Sequence, residues 1–177
     1  MSDNVIDLLI ADHREVQGLL DEAFATSGSE RRDKLDALIG QLVRHSVAEE
    51  TIVYPAMVAE LQDGQKAVDH DTDEHKQLEV IMKKLESSSD DGLLKELKEV
   101  LDDHISDEED EQLPQLREAL SADKLEQMGV QVEALKKIAP TRPHPSAPND
   151  ALFHLTVGPG VGLVDRLRDK LSGRDST

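Results

Sequence analysis

The chain has 177 residues and a formal charge of −18, from 20 basic and 38 acidic residues. The length predicts one domain with an appendage, and the charge argues against nucleic acid and anionic membranes as partners, because both require a basic surface. The lack of cysteine excludes disulfides, thiol catalysis and cysteine-type zinc sites.

Four successive segments repeat apolar residues every three or four positions, which predicts four amphipathic helices. They cover about residues 4–25, 30–61, 66–86 and 93–120, and short polar or glycine-containing stretches separate them. Helices with such short connections predict an all-α, up-down-up-down four-helix bundle over residues 1–120.

Each segment carries one histidine within its apolar stripe, and in two segments a glutamate follows four residues later. A helix turns about 100° per residue, so residues four apart lie on the same face. Burying these carboxylates and imidazoles without compensation would be unfavourable, and a metal supplies the missing positive charge. The candidate metal ligands are His13, His45, Glu49, His75, His104 and Glu108.

The histidine-glutamate segments are two copies of one motif, so the chain consists of two helical hairpins. The shared offsets are those of His45, Glu49, Glu50 and Pro55 in the first copy and of His104, Glu108, Glu109 and Pro114 in the second. An Asp12-His13 pair precedes the first copy and a Glu74-His75 pair precedes the second. Two such walls facing each other could enclose a pair of metals. We expect each proline to kink its helix or end the regular part.

Histidine and carboxylate ligands without cysteine suit iron, manganese or zinc. The Glu-x-x-His motif of ferritin-like proteins is absent, because the residues three before the four histidines are Ile10, Leu42, Thr72 and Leu101. The series of motifs resembles the hemerythrin-like, or HHE cation-binding, family over about residues 5–120. The Pro-His-Pro linker and short C-terminal helix resemble the actinobacterial members.

The resemblance implies a bundle that holds two iron ions, joined by an oxo or hydroxo bridge. It implies that His13, His45, His75 and His104 are iron ligands and that Glu49 and Glu108 are bridging carboxylates. Oxygen carriers of this family have a further histidine on the third helix, four residues from the first. Here Asp71 and Glu79 lie four residues before and after His75, and either carboxylate could replace that imidazole.

Glu50 and Tyr54 form a second row beside His45 and Glu49, where the second copy has Glu109 and Leu113. Tyr54 has three interpretations: a packing residue at the end of the bundle, a hydrogen-bond donor to the ligand shell, or an iron ligand. Our prediction for the catalytic residues is Tyr54 and Glu50, as groups that move protons.

Four histidines and two bridging carboxylates supply about eight of the roughly twelve positions on two six-coordinate irons, so room remains for a small ligand. Hydrogen peroxide, dioxygen and nitric oxide are small ligands that fit these open positions. A carboxylate-rich set stabilises ferric iron, which favours catalase-like peroxide breakdown in oxidative-stress defence over oxygen carriage, and such activity is known for actinobacterial relatives. The alternatives are an O2 or NO sensor or store, and an iron-holding protein.

We expect an enzyme that is a monomer or weak homo-oligomer. We expect no nucleic-acid or membrane partner, and a cytoplasmic location, because no signal peptide or membrane-spanning apolar run occurs.

The remainder of the chain predicts an extra helix over 121–139, then a proline-rich linker and short C-terminal helix over 140–177. Residues 157–162 are predicted to be loop, with Val164, Leu167 and Leu171 on one face of the closing helix. We expect His70, His144 and His154 at the surface or in the linker. The acidic run 107–111 is expected to be mostly solvated, apart from Glu108.

Overall fold

The computed structural model describes residues 4–149 and 151–173, which form helices without strands. The first and third bundle helices are continuous, whereas the second and fourth each contain a five-residue π-helical turn. They are α1 (Val5–Ala25), α2 (Gly28–Ala48) with the turn Glu49–Val53 and α3 (Tyr54–Glu60), α4 (Gly64–Leu85), and α5 (Asp91–Asp107) with the turn Glu108–Gln112 and α6 (Leu113–Ala119). α1 packs on α2 and α5, and α4 packs on the same two helices. The predicted all-α four-helix bundle is confirmed.

Side-chain caps and one glycine define the helix starts. The Asn4 side chain accepts hydrogen bonds from the amides of Ile6 and Asp7, and that of Asp90 accepts one from Leu93. Such caps satisfy amides that have no partner within the helix. Gly28, the first residue of α2, has a φ of 63°, in the left-handed region that glycine adopts without strain.

The π-helical turns lie immediately before the two prolines. The amide of Tyr54 bonds to the carbonyl of Glu49, and that of Leu113 to the carbonyl of Glu108, five residues back in both cases. Pro55 then falls in the first turn of α3, where its missing N–H leaves no hydrogen bond unmade. Each helix therefore changes register at its proline, and Tyr54 follows Glu49 by one wide turn.

Two apolar clusters fill the bundle, one on each side of the four helix histidines. On α1, for example, Leu9 belongs to one cluster, Val16 belongs to the other, and His13 lies between them. The cluster that contains Leu9 also includes Leu125, Met128 and Val132 of α7 (Ala122–Lys136), which packs on α1 and α2. The polar layer is thus enclosed by apolar side chains above and below.

Residues 140–173, called here the C-terminal segment, contain α8 (Ala151–Thr156) and α9 (Gly158–Ser172). α8 contacts the π-helical turn Glu49–Val53 and α9. The prediction that 157–162 is loop is wrong, since α9 begins at Gly158. Val164, Leu167 and Leu171 lie within α9 and are 54%, 53% and 89% exposed, so they do not pack on the bundle.

Buried polar contacts explain the orientation of α9. Asp169 lies 2.6 Å from both Thr141 Oγ1 and a guanidinium nitrogen of Arg142. Asp165 lies 2.9 Å from His144 Nε2. A side chain at Gly162 would place its Cβ 2.2 Å from the Ile138 carbonyl oxygen, so the helix approaches there only with glycine. The polar face is therefore inside, and the leucines face outward.

Within 4–149 and 151–173, every helix is too short or too polar to cross a bilayer. The division of the chain at residues 120 and 139 stays a prediction.

Candidate metal centre

The four helix histidines meet inside the bundle, one from each of α1, α2, α4 and α5. Each is at most 1% exposed, and Glu49 and Glu108, which begin the two π-helical turns, are equally buried. These six residues, called here the cage, are the six predicted ligands His13, His45, Glu49, His75, His104 and Glu108. Their side chains form groups able to hold a metal ion.

Glu49 and Glu108, called here the inner glutamates, each direct one oxygen to each of two halves of the cage. Glu49 Oε1 lies 3.1 Å from His45 Nε2, and its Oε2 lies 3.4 Å from His75 Nε2. Glu108 Oε2 lies 3.1 Å from His13 Nε2, and its Oε1 lies 3.7 Å from His104 Nε2. We call the His13–His45 side the first half and the His75–His104 side the second half.

Several atoms that face the cage interior lack hydrogen-bond partners. Among the described residues, this holds for Nε2 of His13 and His45, both oxygens of Glu49, and Oε2 of Glu108. Buried polar atoms are normally paired, and leaving one unpaired costs about 1–3 kcal/mol. A cluster of such atoms pointing at one another fits metal ligands.

The second half shows the same fit. His75 Nε2 and His104 Nε2 lie 3.2 Å apart, while the Nδ1 atom of each faces a carboxylate. A neutral imidazole that donates through Nδ1 has a lone pair at Nε2. Two facing lone pairs repel each other at this distance, so a proton or a shared cation must lie between the two nitrogens.

A carboxylate lies against Nδ1 of every cage histidine. The pairs are Asp12 with His45 at 3.3 Å, Glu109 with His13 at 2.7 Å, Glu50 with His75 at 2.7 Å, and Glu74 with His104 at 2.9 Å. In metal sites this contact fixes the imidazole tautomer and orientation and makes the ligand more basic. We call these four carboxylates, of Asp12, Glu50, Glu74 and Glu109, the outer ring. The sequence analysis did not predict this role for them, although the repeated Asp12-His13 and Glu74-His75 pairs were a usable signal.

Without a cation the cage would retain protons. Burial lowers the pKa of His45, but the carboxylates of Glu49 and Asp12 outweigh it and raise that pKa to about 10. Metal and proton therefore compete for the same nitrogen, as at most histidine metal sites.

Tyr54 directs its hydroxyl into the second half. Its oxygen lies 3.1 Å from His75 Nε2, its ring stacks on His75, and the side chain is 3% exposed. Burial and the surrounding carboxylates raise the pKa of the phenol well above its usual range. The first half has no counterpart, because Leu113 stands at the equivalent position. The ring also belongs to an apolar cluster, so packing and a polar role coexist.

Glu50 lies on the Nδ1 side of His75, away from the cage interior. Burial raises its pKa, but hydrogen bonds from His154 and His75 outweigh this and lower it to about 2. Its oxygens are held by His75, His154 and Asn149. This placement favours orienting His75 over moving protons.

The two carboxylates that could replace a fifth histidine differ in position. Asp71 is fully buried, groups with Glu74 and His104, and has one oxygen without a hydrogen-bond partner in the described part of the chain. Its other oxygen accepts a hydrogen bond from Gln112. Glu79 instead lines a cavity of about 520 Å³ between the bundle and the C-terminal segment. The structure brings Asp71, and not Glu79, to the cage.

The three histidines outside the cage, His70, His144 and His154, differ in their exposure. His70 is at the surface as predicted, beside Glu74 and Asp107. His144 is partly exposed and contacts Asp165. The prediction for His154 is wrong, since it is 7% exposed and bonded to Glu50. In the acidic run, Glu109 is not simply solvated, because it bonds to His13.

Comparison with known proteins agrees with this geometry. The family model of the hemerythrin HHE cation binding domain matches residues 4–116. An uncharacterised hemerythrin-like protein of Schizosaccharomyces pombe is 31% identical over 174 residues, covering 94% of this chain and 86% of the relative. No solved structure gives a significant match.

Proposed function

The chain belongs to the hemerythrin HHE cation-binding family, and on that basis we propose that it holds two irons in the cage and breaks down hydrogen peroxide. The observation that carries the two-metal proposal is the position of Glu49 and Glu108, each with one oxygen toward each half. His13 and His45 would hold one iron, and His75 and His104 the other. Asp71 is the favoured additional ligand.

When bound, a pair of irons would supply two-electron redox chemistry, in which one peroxide is oxidised to dioxygen and a second is reduced to water. The protein's own side chains bind, orient and exclude water. Both apolar clusters close the cage above and below. The outer carboxylates accept hydrogen bonds from Nδ1 and so keep each Nε2 directed inward.

Tyr54 is the proposed proton donor. Its raised pKa keeps the proton on the phenol oxygen, 3.1 Å from His75 Nε2, at the wall of the second half. From there it can donate a hydrogen bond to a small oxidant. Reduction of peroxide to water consumes protons, so a donor at this position favours peroxide chemistry over reversible dioxygen binding.

The test is iron content and oxygen evolution measured on the same purified sample. We expect two irons per chain and oxygen release on addition of hydrogen peroxide. Two irons without oxygen release would contradict the peroxide proposal and favour an O2- or NO-binding sensor or store. Zinc in place of iron would favour a metal-holding role.

Removal of an inner glutamate tests the bridging role. We expect Glu49→Ala and Glu108→Ala each to lose both irons, because each carboxylate reaches both halves. Elemental analysis gives the count. Retention of one iron in either variant would show that the glutamate serves only one half.

A further inference from the structure

Glu50 connects the C-terminal segment to the cage. Its Oε1 lies 2.7 Å from His75 Nδ1 and 2.9 Å from Asn149 Nδ2, and its Oε2 lies 2.6 Å from His154 Nε2. The carboxylate is 4% exposed. Two of its three partners therefore come from residues about a hundred positions later in the chain.

The equivalent carboxylate in the other hairpin is held differently. Glu109 orients His13 as Glu50 orients His75, but its other partner is the neighbouring Arg14 of α1. The Arg14 side chain is 56% exposed and the Glu109 side chain 18%. Glu109 is thus held by residues of the bundle alone, at a partly hydrated position.

We infer that His154 and Asn149 are positioning residues for the second half, and that the C-terminal segment controls metal binding there and not in the first half. This rests on the proposed two-metal site. In the described part of the chain only His154 bonds to Glu50 Oε2, so its removal leaves that buried carboxylate oxygen without a partner there, which is unfavourable. Glu50 then turns away or admits water, and the His75 imidazole loses its orientation.

The test compares full-length variants by metal retention. His154→Leu keeps the bulk without the donor, and His154→Gln keeps a donor near Nε2. Each protein is loaded with iron and challenged with a chelator. We expect His154→Leu to release one of its two irons about 10- to 100-fold faster, the usual effect of losing an outer partner. The other iron keeps its rate, and His154→Gln restores most of the difference.

A second readout observes the His75 imidazole directly. In zinc-loaded protein, NMR detects the Nδ1–H protons of the cage histidines. We expect faster solvent exchange for His75 in His154→Leu and an unchanged rate for His13. Asn149→Ala should give a smaller effect in the same direction. It replaces His154→Leu as the test variant if that protein does not fold.

Arg14→Leu is the matched control, because it removes the corresponding outer partner of Glu109. It should affect the His13 proton and the first half only. Equal acceleration of both irons in His154→Leu, no acceleration, or failure of His154→Gln to restore retention would each overturn the inference. If wild-type protein bound no metal pair, the proposed function itself would fail, and the same exchange rates measured on the metal-free protein would still report the coupling of His154 to His75.

Discussion

Each cage imidazole has two functional sides. Nε2 faces the cage interior, and Nδ1 faces a carboxylate of the outer ring. Because both ring nitrogens are committed, no other side chain could replace histidine here. A glutamine could offer one group, but not a metal-binding nitrogen together with a second donor.

We expect His45→Ala and His104→Ala to weaken iron binding by more than about tenfold, since loss of an outer partner alone typically costs that much. His144→Ala is the control, because His144 contacts Asp165 of α9 and not the cage. Elemental analysis after dialysis measures the difference. Similar iron loss in all three variants would refute the assignment.

Tyr54→Phe separates the interpretations of the tyrosine. Phenylalanine fills nearly the same volume, so we expect a stability loss of about 1 kcal/mol from the deleted hydrogen bond. If the hydroxyl donates protons, iron stays bound and peroxide turnover falls. If the phenolate binds iron, a visible absorption band disappears as well. Absorption spectra and oxygen evolution on one sample distinguish these cases, and no change in either would leave Tyr54 a packing residue.

At the scale of elements, the π-helical turns aim the functional groups. The backbone amide of Tyr54 donates a hydrogen bond to the carbonyl of Glu49, five residues earlier, immediately before Pro55. A regular α-helix would instead place Tyr54 one turn after Glu50, on the outer side of His75. Such turns are often found at functional sites, and both copies of the motif have one.

α9 provides a test of how the C-terminal segment is docked. We expect Gly162→Ala to loosen it, because the new Cβ would meet backbone atoms of Ile138 and Ala139 that cannot move aside easily. Gly160→Ala is the control in the same helix, with nothing within 4 Å of its Cβ. Hydrogen exchange of residues 158–172 should be faster in the first variant and unchanged or slower in the second. Equal exchange would contradict the close packing at Gly162.

At the scale of the whole molecule, the cage concentrates negative charge within an already acidic protein. Two inner and four outer carboxylates surround the four imidazoles. Among the described residues, Arg14 contacts this ring at Glu109 and Lys136 contacts it at Asp12. A bound metal would therefore contribute to folding.

Metal removal should lower the melting temperature substantially. A ligand present at 1,000 times its Kd stabilises the native state by about 4 kcal/mol per site. We expect a large loss of thermal stability after chelation and its recovery on adding ferrous iron, followed by circular dichroism. An unchanged melting temperature would show that protons replace the metals at little cost.

The sequence predicts the cage better than its surroundings. His13, His45, His75 and His104 were found because helix periodicity places them on apolar stripes, and the glutamates because they lie one turn later. His154 could not be found this way, since its role depends on how a segment after four prolines returns to the bundle. The exposure of the leucines of α9 could not be predicted for the same reason, because buried Asp165 and Asp169 decide the orientation of the helix and their partners lie outside it.

The outer ring also connects the two hairpins, because each hairpin supplies a carboxylate to a histidine of the other. His13 of the first hairpin is held by Glu109 of the second, and His75 of the second by Glu50 of the first. Neither hairpin therefore completes a half by itself. The bundle has the architecture of a two-fold symmetric dimer whose subunits share one chain, and the cage lies at the interface between them. The C-terminal segment breaks that symmetry, because it reaches only one of the two equivalent glutamates.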